Sequence, residues 1–245
     1  MRFLIGIDDT DNLESRGTGY RARQMGALLA ERGLATIESV TRHQLLVDPR
    51  IPYTSHNSSA CIAVSAPSDG VDAIVQCCRD YLLAECASGS DAGLCVGEAA
   101  SVAESVRRFG QRAKVELLTM DEAEILAAEN GFHLEGLTGT RGGIIGSLAA
   151  VGLHAFGTDG RFLWLPGLRE LTGVHAVAEL HRVAAIDEVR GLDGSRVDRL
   201  DTVDVGSWPR PVLLDGLAVL LVEENREDET RGQWRVAPKE VIKRY

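Results

Sequence analysis

Long apolar runs are missing from this chain of 245 residues. A helix that crosses a bilayer needs about 20 consecutive apolar residues, and charge interrupts every candidate run within about ten. The opening, MRFLIGIDDTD, is no signal peptide, because carboxylates follow a very short apolar stretch. A cytoplasmic protein without a membrane partner is expected. Aromatic residues make up only 5% of the sequence, too few for a ribbon of stacking platforms for bases. Cys61, Cys77, Cys78, Cys86 and Cys95 form no Cys-x-x-Cys and have no histidine at zinc-ligand spacing. They read as buried free thiols, so no structural metal site is expected. Ser-His-Asp arrangements, a nucleophile elbow and His-Glu-x-x-His are all absent. Basic residues are outnumbered, giving a formal net charge of −10. Arg21/Arg23, Arg107/Arg108/Arg112/Lys114 and Lys239/Lys243/Arg244 are local spots rather than a basic face, which weighs against nucleic acid as the main ligand.

The rest is ordinary globular composition, with apolar residues at 44% and charged residues at 25%. Residues 2–7 (RFLIGI) read as a buried strand entering a loop at Asp8. Residues 18–32 carry apolar positions at helical spacing and stop at Gly33. Strands are expected at 35–47, 59–66 and 93–96, with a helix over 68–86. The order strand, helix, strand, strand, helix, strand is that of a ferredoxin-like, split βαβ region. An α+β / α/β protein is therefore expected, with a ferredoxin-like region at 1–97 and a mixed α/β region at 98–245. The active cleft is expected between these two.

In the second region a helix near 98–109 leads to a strand at 113–118. Thr119-Met-Asp-Glu122 has capping-box spacing and starts another helix. GLTGTRGG (136–143) is a glycine-rich loop opening onto a helix at 144–153. FGTDGRFLWLPG (156–167) has the pattern of a hairpin, and Asp215-Gly216 is a strong hairpin turn signal within 212–224.

Three segments carry candidate chemistry. Asp8, Asp9 and Asp11 flank Thr10 at a strand exit, where ligands gather in open sheets. Three carboxylates so close repel one another unless a cation joins them, and magnesium takes hard oxygen ligands that it shares with phosphates. The bland reading is a solvated turn whose aspartates cap the helix at 18. In the second segment, Gly139, Arg141, Gly142 and Gly143 precede a helix start, where free amides and a guanidinium suit a phosphate. Glycines there serve close packing equally well. The third, residues 48–59, contains His56, a general base or substrate-orienting group at neutral pH, or simply an exposed loop histidine.

At this point a family resemblance enters. Ile5-Gly-Ile-Asp-Asp-Thr-Asp11 resembles the N-terminal signature of the archaeal tRNA-isoleucine 2-agmatinylcytidine synthetases. The segments 46–60 (LVDPRIPYTSHNSSA), 88–96 (SGSDAGLCV) and 139–152 (GTRGGIIGSLAAVG) are similar to family segments in the same order. The resemblance implies an ATP- and Mg2+-dependent reaction, in which a carbonyl or amide oxygen of a small molecule or nucleotide is phosphorylated before amine attack. Asp8, Asp9 and Asp11 would hold metal, Thr10, Gly139 and Arg141 to Gly143 would hold the nucleotide, and His56 would lie near the acceptor. Family members are longer, with an OB-fold and a zinc ribbon on tRNA, so a shortened homologue is expected. His56-Asn57-Ser58 departs from the family's Arg-Gly-Asn, and Gly17-Thr18-Gly19 from its Cys-Thr-Thr, so a changed acceptor is expected and tRNA is not favoured. A subunit of a tRNA-modifying complex, a non-catalytic ATP-binding sensor and a homo-oligomer stay open.

Overall fold

The computed structural model describes residues 1–51, 57–226 and 232–245. They form two compact units, Met1–Phe156 and Gly157–Tyr245.

The first unit is built from strands β1 (Arg2–Asp8), β2 (Thr36–Gln44), β3 (Ser58–Ser65), β4 (Gly93–Glu98) and β5 (His133–Gly136). Its helices are α1 (Thr18–Glu31), α2 (Val71–Glu85), α3 (Glu104–Arg112), α4 (Met120–Glu129) and α5 (Gly143–Phe156). The strands lie in the order β5-β4-β1-β3-β2, and every neighbouring pair is antiparallel. β1 sits in the middle because its apolar run can be buried on both faces. Period-2 alternation puts Leu4, Gly6 and Asp8 on one face and Phe3, Ile5 and Ile7 on the other. Burying such side chains contributes about 1.5–3 kcal/mol each.

Leu4 belongs to a core shared with Cys61 and Ala63 of β3, Phe109 of α3 and Leu148 of α5. Helix α5 is apolar nearly all round, which marks a helix buried on every side. It lies against β1, β3 and β4, and α3 and α4 pack on it in turn. The face that carries Asp8 is thus the face that α5 covers.

The boundary expected near residue 97 falls inside this first unit, because β5 pairs with β4 and α5 spans the sheet. The strand expected at 113–118 does not form. Amides of Ala113, Lys114, Val115 and Glu116 bond back to Phe109, Gln111 and Arg112. Arg112 also pairs with Glu116 and Glu122, so the segment becomes a tight link between α3 and α4. Thr119 caps α4 as its spacing predicts, its hydroxyl accepting from the Glu122 amide at 3.3 Å.

The second unit contains β6 (Arg161–Trp164), β7 (Val174–Ala176), α6 (Val177–Val183), β8 (Glu188–Gly191), β9 (Thr202–Asp204), β10 (Val212–Leu214), β11 (Leu217–Glu224), β12 (Trp234–Val236) and α7 (Lys239–Ile242). Its strands run β6-β10-β11-β12-β9-β7, with β8 parallel to β11. The β10–β11 hairpin turns at Asp215 and Gly216, with φ of 53° and 77°, the double left-handed turn that an Asp-Gly pair favours. The hairpin expected at 156–167 does not form, because β6 pairs with β10 instead. Phe162, Leu168, Leu180, Val189, Val203 and Leu220 are part of its core. No helix among the described residues is long and apolar enough to cross a membrane.

Candidate active site

The end of β1 and the start of α5 meet at a cavity of about 280 Å³ in the first unit. Its lining combines the carboxylates Asp8, Asp9, Asp11 and Asp91 with the apolar residues Leu45, Ile51, Ala113, Leu117, Leu118 and Ile145. Arg50, Asn57 and Ser58 line it as well. The cavity is lined from both of the regions expected from sequence, 1–97 and 98–245, and those segments belong to one compact unit.

Asp8 reaches the cavity because β1 ends there and α5 leaves room. A Cβ on Gly146 would lie 1.8 Å from the Asp8 Oδ2, and one on Gly143 would lie 2.4 Å from the Asp91 carbonyl oxygen. Only residues without a side chain let the helix start approach the strand end so closely. Enclosure pushes the Asp8 carboxyl up to about 8, and the neighbouring Asp9 charge adds to the rise. Burial likewise pushes Asp9 up to about 6, reinforced by the charges of Asp91 and Asp11. Asp9 also has left-handed backbone, with φ of 49°, a conformation costing about 1–2 kcal/mol for a residue with a Cβ. Repelling carboxylates on a strained turn suit a guest of positive charge.

Asp11 plays a second part. Its Oδ1 accepts from the Thr18 amide at 3.2 Å and from the Thr18 hydroxyl at 2.8 Å, which caps α1. The bland reading of the turn thus holds for this residue, though its side chain also lines the cavity. Thr10 is fully buried with its hydroxyl 3.1 Å from that of Thr18, and it does not line the cavity.

The glycine loop is tied to the acidic turn by Asp91, which the sequence reading passed over. Its carboxylate accepts from the Thr140 amide at 2.6 Å and the Thr140 hydroxyl at 2.7 Å. Its carbonyl accepts from the Gly143 amide at 2.9 Å, and its own amide donates to Asp9. The one available signal was an aspartate two residues ahead of a buried strand with no basic neighbour in sequence. Gly142 and Gly143 line the cavity, whereas Gly139 packs beneath the Asp91 carboxylate. Arg141 has φ of 68° and directs its guanidinium to Glu124 at 2.6 Å, away from the cavity. The amides of Gly143, Ile144 and Ile145 already donate to the carbonyls of Asp91, Arg141 and Gly142. Helix polarity, more than a cradle of free amides, is what the loop offers an anion.

His56 lies outside the described residues. After it, Asn57 is clamped to the strand pair: it donates to the Leu46 carbonyl at 2.7 Å, and Gln44 donates to the Asn57 carbonyl at 2.6 Å. Arg50 reaches the cavity wall while forked onto Asp48 at 2.8 Å through both nitrogens. This interaction holds the half-buried Asp48 carboxyl down at about 2.

Among the described residues, no three His, Cys, Asp or Glu side chains converge tightly enough to form a metal cage. Magnesium needs no such cage: it is commonly held by one or two carboxylates together with substrate phosphates. The paired hard oxygens of Asp8 and Asp9 fit that pattern.

Comparisons with known proteins bear on this geometry. No family model matches the chain. The isoleucine-tRNA 2-agmatinylcytidine synthetase TiaS of Pyrococcus horikoshii is 33% identical over 160 residues, 62% of this chain and 36% of that protein. The chain is homologous to TiaS. The enzyme of the same name from Methanosarcina acetivorans is 30% identical over 157 residues, 61% of this chain and 35% of its own length. An uncharacterised protein of Methanocaldococcus jannaschii is 29% identical over 159 residues, 62% of this chain and 50% of that one. This chain therefore spans about a third to a half of the length of these relatives. Among solved structures, the complex of TiaS with its isoleucine tRNA and ATP matches with a TM-score of 0.53 at 25% identity, covering 62% of this chain and 36% of that one. A tRNA fluorescent labelling enzyme matches with a TM-score of 0.52 at 25% identity, over the same shares. The aligned length is close to that of the first unit, which spans Met1–Phe156.

Proposed function

We propose that the first unit binds ATP with Mg2+ and transfers its terminal phosphoryl group to a carbonyl or amide oxygen of a small molecule or nucleotide. The observation that carries this reading is the convergence of Asp8, Asp9 and Asp91 on one cavity at the start of α5. Homology to TiaS, whose structures include a complex with ATP and an isoleucine tRNA, supports ATP as the nucleotide. The strand order β4-β1-β3-β2, with its two crossing helices, supports reading the fold around the site as ferredoxin-like.

Asp8 and Asp9 would hold the magnesium ion, which would neutralise phosphate charge and orient the triphosphate. Asp91 fixes the loop against the turn, so the carboxylates and the helix start keep a set spacing. The N-terminal end of α5 adds partial positive charge where negative charge spreads during transfer. Buried Leu45 and half-buried Ile145 add apolar lining, which would strengthen electrostatic contacts once a ligand displaces water there. Asp11, already bonded to Thr18, acts mainly by holding α1 in place. Arg141 would serve phosphate only by leaving Glu124. His56 stands by the acceptor in this reading. A cytoplasmic protein is the setting assumed.

The test is turnover. Protein incubated with labelled ATP, Mg2+ and a panel of amide-bearing small molecules, nucleosides and bulk tRNA should release ADP or phosphate only when an acceptor is present. ATP that binds but is never consumed with any acceptor would favour the sensor reading instead.

A further inference from the structure

The second unit holds a group of cations for which the ATP reading has no use. The guanidinium carbons of Arg169 and Arg210 stand over the indole of Trp208, 4.5 and 4.6 Å from its centroid. Arg161, at the start of β6, is close enough to Arg210 to feel its charge; burial first, and that repulsion second, hold its guanidinium below the usual range. Arg182, Arg190, Arg196, Arg226 and Arg235 of the same unit are each paired with a glutamate. Among the described residues, no such partner stands beside Arg161, Arg169 or Arg210. The Trp208 Nε1 is buried and meets no acceptor. Like charges gathered without a counter-charge, in a chain of net charge −10, are unfavourable until an anion arrives.

We propose that Arg161, Arg169, Arg210 and Trp208 form a binding site for a phosphate-bearing ligand, sharing no residue with the acidic cavity. A guanidinium stacked on an aromatic face keeps its planar edge free, and that edge forks onto phosphate oxygens. The indole thus orients two such forks before the ligand comes, and Arg161 adds a third positive charge. Three cations exceed what one carboxylate neutralises; they suit a phosphodiester strand or a polyphosphate. The sequence reading missed the group because the three arginines are spread over fifty positions and meet only in the fold.

The experiment is fluorescence anisotropy on the full chain with a labelled oligouridylate, at several salt concentrations, with inorganic pyrophosphate as competitor. The wild type should bind, and the Arg169→Gln/Arg210→Gln variant should bind at least about tenfold more weakly, with a salt slope smaller by about two. Arg169→Gln alone removes one exposed side chain, leaves the fold untouched and should lower the slope by about one. Arg226→Gln, away from the group, should bind as the wild type does. Displacement by pyrophosphate would identify the ligand as a small phosphate, and resistance to it would identify a strand; both support the site. Binding of neither probe, or equal binding by wild type and the Arg169→Gln protein, would overturn it.

Discussion

The side chain of Asp8 fills the space that a Cβ on Gly146 would occupy, the two lying 1.8 Å apart. The carboxylate and the helix are therefore fitted to each other as one unit. Gly146→Ala must displace the whole Asp8 side chain, whose Cγ and Cβ are also within 2.9 Å of the added atom. Overpacking of this kind costs about 1–3 kcal/mol. Urea midpoints should fall by that amount, and Mg-ATP binding should be lost even under conditions where the variant is fully folded. Gly142→Ala, whose Cβ would meet only the Thr140 hydroxyl at 3.4 Å, should keep its stability.

Asp8→Asn should make the metal-free protein more stable near neutral pH while removing its function. Enclosure, with Asp9 alongside, raises the folded-state carboxyl to about 8. The contribution of such a group is present in full below the unfolded value near 3.8 and is lost as pH rises towards 8. An uncharged amide escapes that loss. In EDTA, the variant's stability from urea midpoints should match the wild type near pH 4 and pull ahead up to pH 8, by at most about 1.4 kcal/mol per pH unit. Added Mg2+ should raise the wild type only. A variant less stable at every pH would show that Asp8 is a structural carboxylate.

Inside the first unit, His154 of α5 is buried with its Nδ1 3.0 Å from the Thr41 hydroxyl, which also meets His43 Nε2 at 2.8 Å. Burial, followed by the charge of His43, pushes His154 down to about 3. The unfolded chain takes up this proton near pH 6.5, and the folded protein refuses it until about pH 3. Stability should thus be lost as pH falls from 6.5, by about 1.4 kcal/mol per pH unit from this group. His154→Gln should be weaker than wild type at pH 7 but show a shallower decline between pH 6 and 4.5, measured by urea midpoints.

Much of the frame could be read from local pattern. RFLIGI announced β1, the alternation of Ser59–Ala66 announced β3, and the Asp-Gly pair announced the β10–β11 turn, because each signal is contained within a few residues. The segment 113–118 has an apolar pattern that fits a strand, but Arg112 and the last turn of α3 claim its backbone, a tertiary competition that the pattern does not contain. At the site, Asp8 and Asp9 were visible as a repelling cluster. Asp91 was not, because its hydrogen bonds run to residues nearly fifty positions away. Both readings of the glycine loop were open; Gly143 and Gly146 turn out to pack closely, and Arg141 turns outward to Glu124.

If Asp8 and its neighbours hold magnesium on ATP, the nucleotide and the metal must bind together. Calorimetric titration with a non-hydrolysable ATP analogue, with and without Mg2+, tests it most directly on the wild type and on Asp8→Asn. Binding should require Mg2+ in the wild type and be lost in the variant, while the variant stays folded. Binding of equal strength in both proteins, or no binding by the wild type with Mg2+ present, would contradict it.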